Sequence, residues 1–133
     1  MANDLAWARV VNPRDATPLH AQLERSILVA IASGRLKTGD QLPTVRQLAV
    51  ELRVNANTVA KVYAHLERIG TLETRRGVGT FIAEPRDHGR NEAARDAEIR
   101  AIVERALAEA SAHGFTAADL RRALSALTKA GAP

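Results

Sequence analysis

The 133-residue chain lacks cysteine, is poor in aromatic residues and has no long apolar run. Without cysteine there can be no disulfide and no thiolate metal site, so packing alone must hold the core. Aromatic side chains make up 3% of the residues, which argues against a base-stacking surface for single-stranded nucleic acid. No apolar run approaches the roughly 20 residues that cross a bilayer, and the N-terminus lacks the pattern of a secretion signal. We therefore expect an intracellular, cytoplasmic protein with no membrane partner.

Positive charge is concentrated in the first part of the chain. The sequence carries 19 Lys+Arg against 15 Asp+Glu, which gives a formal net charge of +4. Residues 1–84 hold 11 basic and 8 acidic side chains, whereas residues 85–133 hold 8 and 7. Because most of the excess lies in the first part, a site for a polyanion such as nucleic acid is expected there.

The first helix is predicted from the helical spacing of apolar residues. It begins with a hydroxyl cap at Thr17 and with Pro18 at the first helical position, and it ends at Gly34. The residues expected on its buried face are Leu19, Leu23, Ile27, Leu28 and Ile31. Before this helix, residues 5–11 hold a short apolar stretch, which we interpret as a brief strand or an extended arm.

Two more helices and a hairpin are predicted next. The second helix begins at Thr44, where the side chains of Thr44 and Gln47 can form a capping box. A tight turn follows, and the third helix then runs from about Ala56 to Ile69. The residues expected on its inward face are Val59, Val62, Tyr63, Leu66 and Ile69. Residues 71–83 have the pattern of two short β segments joined by a glycine-containing turn.

The end of the chain predicts a pair of helices. After a linker, one helix covers about residues 91–113, and another begins with a cap at Thr116. Their apolar stripes comprise Ile99, Ile102, Val103, Ala106 and Leu107 on the first helix and Leu120, Leu124 and Leu127 on the second. A helical pair of this size buries too little apolar surface to be stable alone. A second copy of the chain can supply the missing surface with closed symmetry, so these side chains are the expected dimerisation residues.

The predicted order of three helices and a basic hairpin is that of a winged helix-turn-helix, a mainly α fold with a small β-hairpin wing. A helix about 10–12 Å across fits the major groove of duplex DNA. At the N-terminal end of the third helix, Asn57, Thr58 and Lys61 can reach base edges or phosphates. On spacing alone, DNA contact and a protein-interaction module with the same fold are about equally well supported.

The hairpin and the helix caps add further candidate DNA contacts. Arg75 and Arg76, beside Gly77 at the hairpin tip, can lie against or inside the adjacent minor groove. Asn55 is expected to cap the third helix, with phosphate contact as a secondary role, and Thr44 can act in the same two ways. All of these candidates belong to the basic first part of the chain.

One long run of the sequence resembles a known family. Residues 34–82, GRLKTGDQLPTVRQLAVELRVNANTVAKVYAHLERIGTLETRRGVGTFI, resemble the N-terminal DNA-binding domain of the GntR family of bacterial transcription regulators. The motifs that carry the resemblance are Gly39-Asp40 with Leu42-Pro43, Arg46 followed by Leu48-Ala49, Asn55-x-Asn57-Thr58-Val59, Leu66-Glu67 and Gly77-x-Gly79-Thr80-Phe81. The resemblance covers about residues 7–83, because the preceding helix is also similar to the first helix of that domain.

The resemblance implies roles for the matching positions. Arg46 matches an arginine that reaches a guanine or the DNA backbone. Asn57 and Thr58 match positions of the recognition helix that contact bases and phosphate, and Arg76 and Gly77 match the wing tip. Specificity is therefore expected to come from the start of the second helix, the start of the third helix and the wing.

The short tail narrows the resemblance to one subfamily. Two helices after a DNA-binding domain resemble the layout of the YtrA subfamily, in which such a tail is a dimerisation element. The resemblance implies a winged helix-turn-helix DNA-binding domain over residues 1–84 and a helical dimerisation tail over residues 85–133. It also implies a homodimeric transcription regulator, most simply a repressor that occludes a palindromic site on double-stranded DNA, and it suggests a transporter operon as the target.

Two other interpretations stay open. In one, the protein is a sensor whose small-molecule effector, of unknown identity, binds at the tail helices. In the other, it is a winged-helix protein-interaction module without DNA binding. No convergent catalytic set emerges from the sequence, and its four histidines are dispersed and have no cysteine companions. We therefore expect no enzyme activity, no metal and no cofactor.

Overall fold

Five helices and one β-hairpin form the described part of the chain, which comprises residues 5–85 and 89–130 of a computed structural model. The elements are α1 (Leu19–Ala32), α2 (Val45–Leu52), α3 (Ala56–Arg68), β1 (Leu72–Arg75), β2 (Gly79–Ile82), α4 (Glu92–Ala112) and α5 (Ala117–Ala130). The expected mainly α architecture with a small hairpin is confirmed. These residues fall into two compact units, a first unit of residues 5–85 and a second unit of residues 89–130. No helix among them is both long and apolar enough to cross a membrane.

The core of the first unit lies where α1 and α2 pack against α3. Each helix contributes an apolar stripe, and the side chains fully buried there include Leu23, Ile27, Leu48, Val59 and Leu66. Burying one such side chain stabilises the fold by about 1.5–3 kcal/mol. The core therefore fixes α3 against both of its neighbours.

Residues 5–11 form a helical turn, so the expected strand or extended arm is wrong. The backbone N–H of Ala8 donates to the carbonyl of Leu5 at 2.9 Å, and the N–H of Val11 donates to the carbonyl of Ala8 at 3.2 Å. Trp7 and Ala8 are both buried in the core. Neighbouring side chains of a strand point to opposite faces, whereas a turn allows both of these residues to face the core.

The start of α1 also differs from the prediction. The helix begins at Leu19, Pro18 occupies the N-cap position, and no side chain caps the first turn. The Thr17 hydroxyl is not a cap; its backbone carbonyl instead accepts a hydrogen bond from Gln22 Nε2 at 2.7 Å. Gln22 Nε2 also donates to the carbonyl of Asn12 at 3.0 Å. The side chain of Gln22 thus ties the preceding loop to the helix.

Two positions predicted to face the core are exposed. Leu28 on α1 is 40% exposed, because the segment before α1 covers another side of the helix, where the Ser26 hydroxyl donates to the carbonyl of Trp7. Ile69 is 47% exposed because α3 ends one residue before it and the chain turns at Gly70, which has φ 88°. The prediction of a buried side chain is wrong at both positions.

The predicted caps of α2 and α3 are confirmed. Thr44 Oγ1 accepts from the backbone N–H of Gln47 at 3.1 Å, and Gln47 Oε1 accepts from the N–H of Thr44 at 2.9 Å, which completes a capping box. Asn55 Oδ1 accepts from the N–H of Asn57 at 2.8 Å. A cap of this kind contributes about 1 kcal/mol. Local sequence therefore sets the start of both helices.

The hairpin contains the predicted glycine turn. The two strands are antiparallel, with Arg75 opposite Gly79 beside the turn, and the N–H of Val78 donates to the carbonyl of Arg75 at 2.9 Å. Gly77, the third residue of this turn, has φ 76°. Positive φ at that position of a β-turn favours glycine, because a side chain there is strained.

The second unit consists of α4 and α5, which contact each other. Asn91 caps α4, because its Oδ1 accepts from the N–H of Ala94 at 2.8 Å. Gly114, with φ 84°, lies between the helices. The predicted cap of α5 is confirmed: Asp119 Oδ2 accepts from the N–H of Thr116 at 2.8 Å, and Thr116 Oγ1 accepts from the N–H of Asp119 at 3.4 Å.

Candidate nucleic-acid interface

Helix α3 has one buried face and one polar face. Val59, Val62 and Leu66 are buried, whereas Asn57 and Lys61 are exposed. The Asn57 amide and the Lys61 ammonium form no hydrogen bond or ion pair with any residue that the structure describes. The helix dipole also favours an anion at this N-terminal end. The start of α3 can therefore donate hydrogen bonds to an acidic ligand.

Arg46 lies exposed on the first turn of α2. Within the described ranges its guanidinium has no hydrogen-bond or ion-pair partner. It borders an open groove of about 990 Å³, whose lining also includes Gln41, Gln47 and Phe81. An arginine in this state can present its planar set of donors to a guanine edge or a phosphate.

The two arginines of the hairpin tip are in different environments. The Arg75 guanidinium lies over the ring of Phe81, 4.3 Å from the ring centroid, and 3.9 Å from a carboxylate oxygen of Glu73. Arg76 is exposed at the turn and has no such partner among the described residues. Gly77 beside it is exposed, and a Cβ there would meet nothing within 4 Å. Arg76 is therefore the freer of the two cations.

The loop of residues 39–43 connects the hairpin to α2 and α3. Leu42 N–H donates to the carbonyl of Thr80 at 2.8 Å, and further backbone hydrogen bonds join residues 39 and 40 to the end of β2. At the other end of the loop, the Tyr63 hydroxyl donates to the carbonyl of Pro43 at 2.7 Å. Burial raises the pKa of the Tyr63 phenol, so it remains a donor. We call residues 39–43 the hub loop.

A cleft of about 300 Å³ lies between α1 and α3. Its lining includes His20, Glu24, Lys61 and His65. His65 Nε2 lies 2.9 Å from Glu24 Oε1, and His65 Nδ1 lies 3.2 Å from a guanidinium nitrogen of Arg68. Because an arginine side chain can only donate, Nδ1 of His65 accepts the hydrogen bond from Arg68. Nε2 then carries the ring proton and donates a hydrogen bond to Glu24.

The predicted DNA contacts fall on three neighbouring pieces of the first unit. Thr44 and Arg46 lie at the start of α2. The residues at or near the start of α3 are Asn55, Asn57, Thr58 and Lys61, and those at the hairpin turn are Arg75, Arg76 and Gly77. Asn57 and Lys61 are exposed, and Thr58 is half-buried at the α1–α3 cleft. Their contact with DNA stays a prediction.

Sequence reasoning missed two residues of this region. Arg53, an exposed cation between α2 and α3, has φ 56°, the one positive φ of a described residue other than glycine. The tight turn itself was predicted, but an arginine, unlike a glycine, does not indicate the left-handed conformation. Gln41 in the hub loop donates from Nε2 to the carbonyl of Val78 at 3.1 Å. That contact joins residues far apart in the sequence, and no local pattern predicts it.

The predicted dimerisation residues form an exposed apolar surface on the second unit. The large aliphatic ones among them are between 37% and 61% exposed, and they are Ile99, Ile102, Val103, Leu107, Leu124 and Leu127. Ala106 is also exposed, and Leu120 is half-buried. Among residues 89–129, Ala110 is the one buried side chain. We call the six aliphatic residues the tail face; its burial in a dimer stays a prediction.

The described residues contain no group of three His, Cys, Asp or Glu side chains placed to hold a metal ion. The histidines of the α1–α3 cleft illustrate why. His65 lies against Glu24 and Arg68, and the neighbouring cation of Lys61 also borders the cleft. The contact between His65 and Glu24 joins α3 to α1 through a hydrogen bond.

Comparison with known proteins identifies relatives of the chain. A family described as bacterial regulatory proteins of the gntR family matches residues 19–82. The chain is 31% identical over 118 residues to the HTH-type transcriptional regulator YhcF of Bacillus subtilis (strain 168), which covers 89% of this chain and 96% of YhcF. It is 45% identical over 74 residues to the HTH-type transcriptional repressor YtrA of the same organism, with 56% and 57% of the two chains covered.

A solved structure agrees with these relatives. The fold is similar to that of YtrA from Sulfolobus acidocaldarius, a GntR-family transcription factor, with a TM-score of 0.56 and 31% sequence identity. The match covers 76% of this chain and 98% of that one. The similarity therefore extends beyond the part of the chain that the family description matches.

Proposed function

The chain belongs to the GntR family of bacterial regulatory proteins as a YtrA-like DNA-binding transcriptional regulator, and from this premise we propose that it is a homodimeric repressor that occludes a palindromic operator. Bacillus subtilis YtrA is named a transcriptional repressor, which supports the direction of regulation proposed for this chain. The resemblance to the subfamily supports a transporter operon as the target. A regulator of bacterial genes would act in the cytoplasm.

One observation carries the proposal for the DNA site: Arg46, Lys61 and Arg76 are exposed cations without partners among the described residues. They lie at the start of α2, near the start of α3 and at the hairpin tip, which are the elements that the hub loop connects. In our proposal Arg46 and Asn57 read base edges in the major groove, and Arg76 follows the minor groove. Lys61 and Thr58 contact phosphates and set the position of α3.

The tail face supports the homodimer. Monomeric proteins rarely expose a large contiguous apolar surface, and two helices that bury little between them need a further surface. In our proposal the tail face of a second copy covers the first, since an interface with two-fold symmetry uses the same residues on both chains. Two DNA-binding units related by that symmetry match two half-sites of a palindrome.

The test is footprinting on DNA that includes the promoter of the protein's own gene, at several salt concentrations. We expect two protected half-sites about one helical turn apart, or a multiple of it, and an affinity that falls steeply as salt is raised. A complex that resists competitor DNA would support specific binding. If no salt-sensitive, competitor-resistant complex forms, the DNA-binding role is wrong and a protein-interaction module becomes the better explanation.

One observation favours a second candidate function, an effector-gated sensor. An open cavity of about 400 Å³ lies between α4 and α5, and its lining includes Glu109, His113, Phe115 and Leu120. Its size and its mixture of apolar and polar side chains suit a small molecule. A compound that both raises the melting temperature and releases the protein from DNA would support this function. If no such compound is found, repression without an effector is enough to explain the function.

A further inference from the structure

The side chain of Gln41 connects the hub loop to the hairpin tip. Its Nε2 donates to the carbonyl of Val78 at 3.1 Å, and its backbone pairs with that of Phe81 in an antiparallel bridge. The next residue, Leu42, donates its N–H to the carbonyl of Thr80 at 2.8 Å. The hub loop thus lies alongside β2, joined to it by this isolated bridge, and the Gln41 amide extends from the loop to the turn.

Gly79 makes this contact possible. Its φ is 146°, and a Cβ added there would lie 2.4 Å from Gln41 Nε2 and 3.3 Å from Gln41 Cδ. Real Cβ atoms do not approach other atoms so closely, so a side chain at position 79 would displace the amide. The sequence therefore combines a long amide side chain in the hub loop with the one residue that leaves room for it.

The other end of the turn is also held. Arg75, opposite Gly79 in the strand register, places its guanidinium over Phe81. Val78 is held through its carbonyl by Gln41. Between these two anchors lies Arg76, whose side chain has no partner in the described part of the chain. The backbone that carries Arg76 is thus fixed while its charge stays available.

The hub loop leads directly into the elements that read DNA in the proposed function. Thr44, which starts α2, comes three residues after Gln41, and Arg46 follows on the first turn. The carbonyl of Pro43 accepts from Tyr63 on α3. A contact between Gln41 and the tip therefore sets the position of the tip relative to both helices.

We infer that Gln41 is a positioning residue for DNA binding, which holds the wing cation Arg76 at a fixed place relative to Arg46. The inference rests on the proposed function, because it requires both arginines to contact the same duplex. The hydrogen bond is exposed, and the pairing between β1 and β2 does not depend on it. Loss of the amide should therefore leave the fold intact and allow the tip to move.

The test is a double-mutant cycle with Gln41→Ala, Arg76→Ala and the double variant, using the full chain and the operator fragment found by footprinting. Arg76→Ala is expected to weaken binding about tenfold, and Gln41→Ala about three- to tenfold. The double variant should bind like Arg76→Ala alone, because Gln41 acts through Arg76. Independent effects would multiply instead, and that result would overturn the inference.

The salt dependence gives a second readout that a purely structural role would not change. An arginine along the minor groove also neutralises the phosphates that border the groove, and removing one such cation lowers the slope of log affinity against log salt by about one. We expect Gln41→Ala to lower the slope as Arg76→Ala does, although glutamine carries no charge. An unchanged slope for Gln41→Ala would overturn the inference.

Two further variants complete the design. Gln22→Ala is the matched control, because the Gln22 amide also donates to backbone carbonyls, but there it joins α1 to the preceding loop. This variant should leave unchanged both the salt dependence of binding and the effect of Arg76→Ala. Gly79→Ala displaces the amide while Gln41 is kept, and it should reproduce the lower slope. If Arg76→Ala itself has no effect, the proposed wing contact and this inference both fail; if only the coupling is missing, this inference alone fails.

Discussion

The two units differ in where their apolar side chains lie. In the first unit they form one buried core, in which Leu48, Val59 and Leu66 are fully excluded from water. In the second unit, Ala110 is the one buried side chain among residues 89–129, and the tail face stays exposed. The first fold is therefore complete within one chain. The second has an apolar face whose burial needs another surface.

The units also differ in how their charges are used. In the first unit Arg46, Lys61 and Arg76 have no partner among the described residues. Both units also contain ion pairs, such as Arg9 with Glu51 in the first and Arg90 with Glu98, 2.7 Å apart, in the second. The first part of the chain has the larger excess of positive charge, with 11 basic and 8 acidic side chains over residues 1–84 against 8 and 7 over residues 85–133, whereas the second unit has the exposed apolar surface. This division is what a regulator needs if one part binds DNA and the other binds a second copy.

The largest expected effect comes from placing a charge on the tail face. Ile102 is 56% exposed, so Ile102→Asp should leave the single chain folded but should put a carboxylate into the proposed dimer interface. We expect dimers to become monomers in sedimentation velocity. Operator affinity should then fall by about 10²–10⁴-fold, because two linked DNA-binding units bind far better than one.

The control for this variant is Leu28→Asp in the first unit, where Leu28 is 40% exposed on α1. It adds the same charge at a similarly exposed leucine and should stay dimeric. If Ile102→Asp sediments as a dimer and keeps its operator affinity, the tail face is not the interface. The exposed apolar side chains of the second unit would then need another explanation.

A smaller effect is expected from Arg46→Ala in the first unit. Loss of a bidentate base contact should cost about 1–3 kcal/mol on the preferred operator and relax the preference at one base pair. Titrations with the operator and with its single-base variants measure both effects. Arg105→Ala in the second unit, also exposed, is the matched control and should change the affinity little. Equal losses on the operator and on random DNA would show that Arg46 does not read a base.

Local features of this fold could be predicted from the sequence. The capping boxes at Thr44 and Thr116 need only residues three apart, and both are present as expected. The turn at Gly77 depends on one residue's backbone freedom. Helix spacing likewise predicted the three core helices and the exposed stripe of the tail. In each case the cause and its effect lie within a few residues.

The features that could not be predicted depend on distant partners. Trp7 packs in the core and its carbonyl accepts from Ser26, which the local apolar stretch does not reveal. The contact of Gln41 with Val78 joins residues that are 37 positions apart in the sequence, and the contact of Glu24 with His65 joins residues that are 41 positions apart. Such contacts exist only once the helices are assembled. For the same reason, the family resemblance suggested which residues meet DNA but not how the hub loop supports them.

The smallest expected effect compares one left-handed residue in each unit. Arg53 has φ 56° between α2 and α3, and Gly114 has φ 84° between α4 and α5. A side chain in this conformation costs about 1 kcal/mol relative to glycine.

We expect Arg53→Gly to raise the free energy of unfolding by about 0.5–1 kcal/mol and Gly114→Ala to lower it by about as much. Urea denaturation of each variant at the same protein concentration measures both changes. Arg53→Ala is the control, because it removes the same side chain but keeps the strain; if it stabilises as much as Arg53→Gly, the backbone conformation is not the cause.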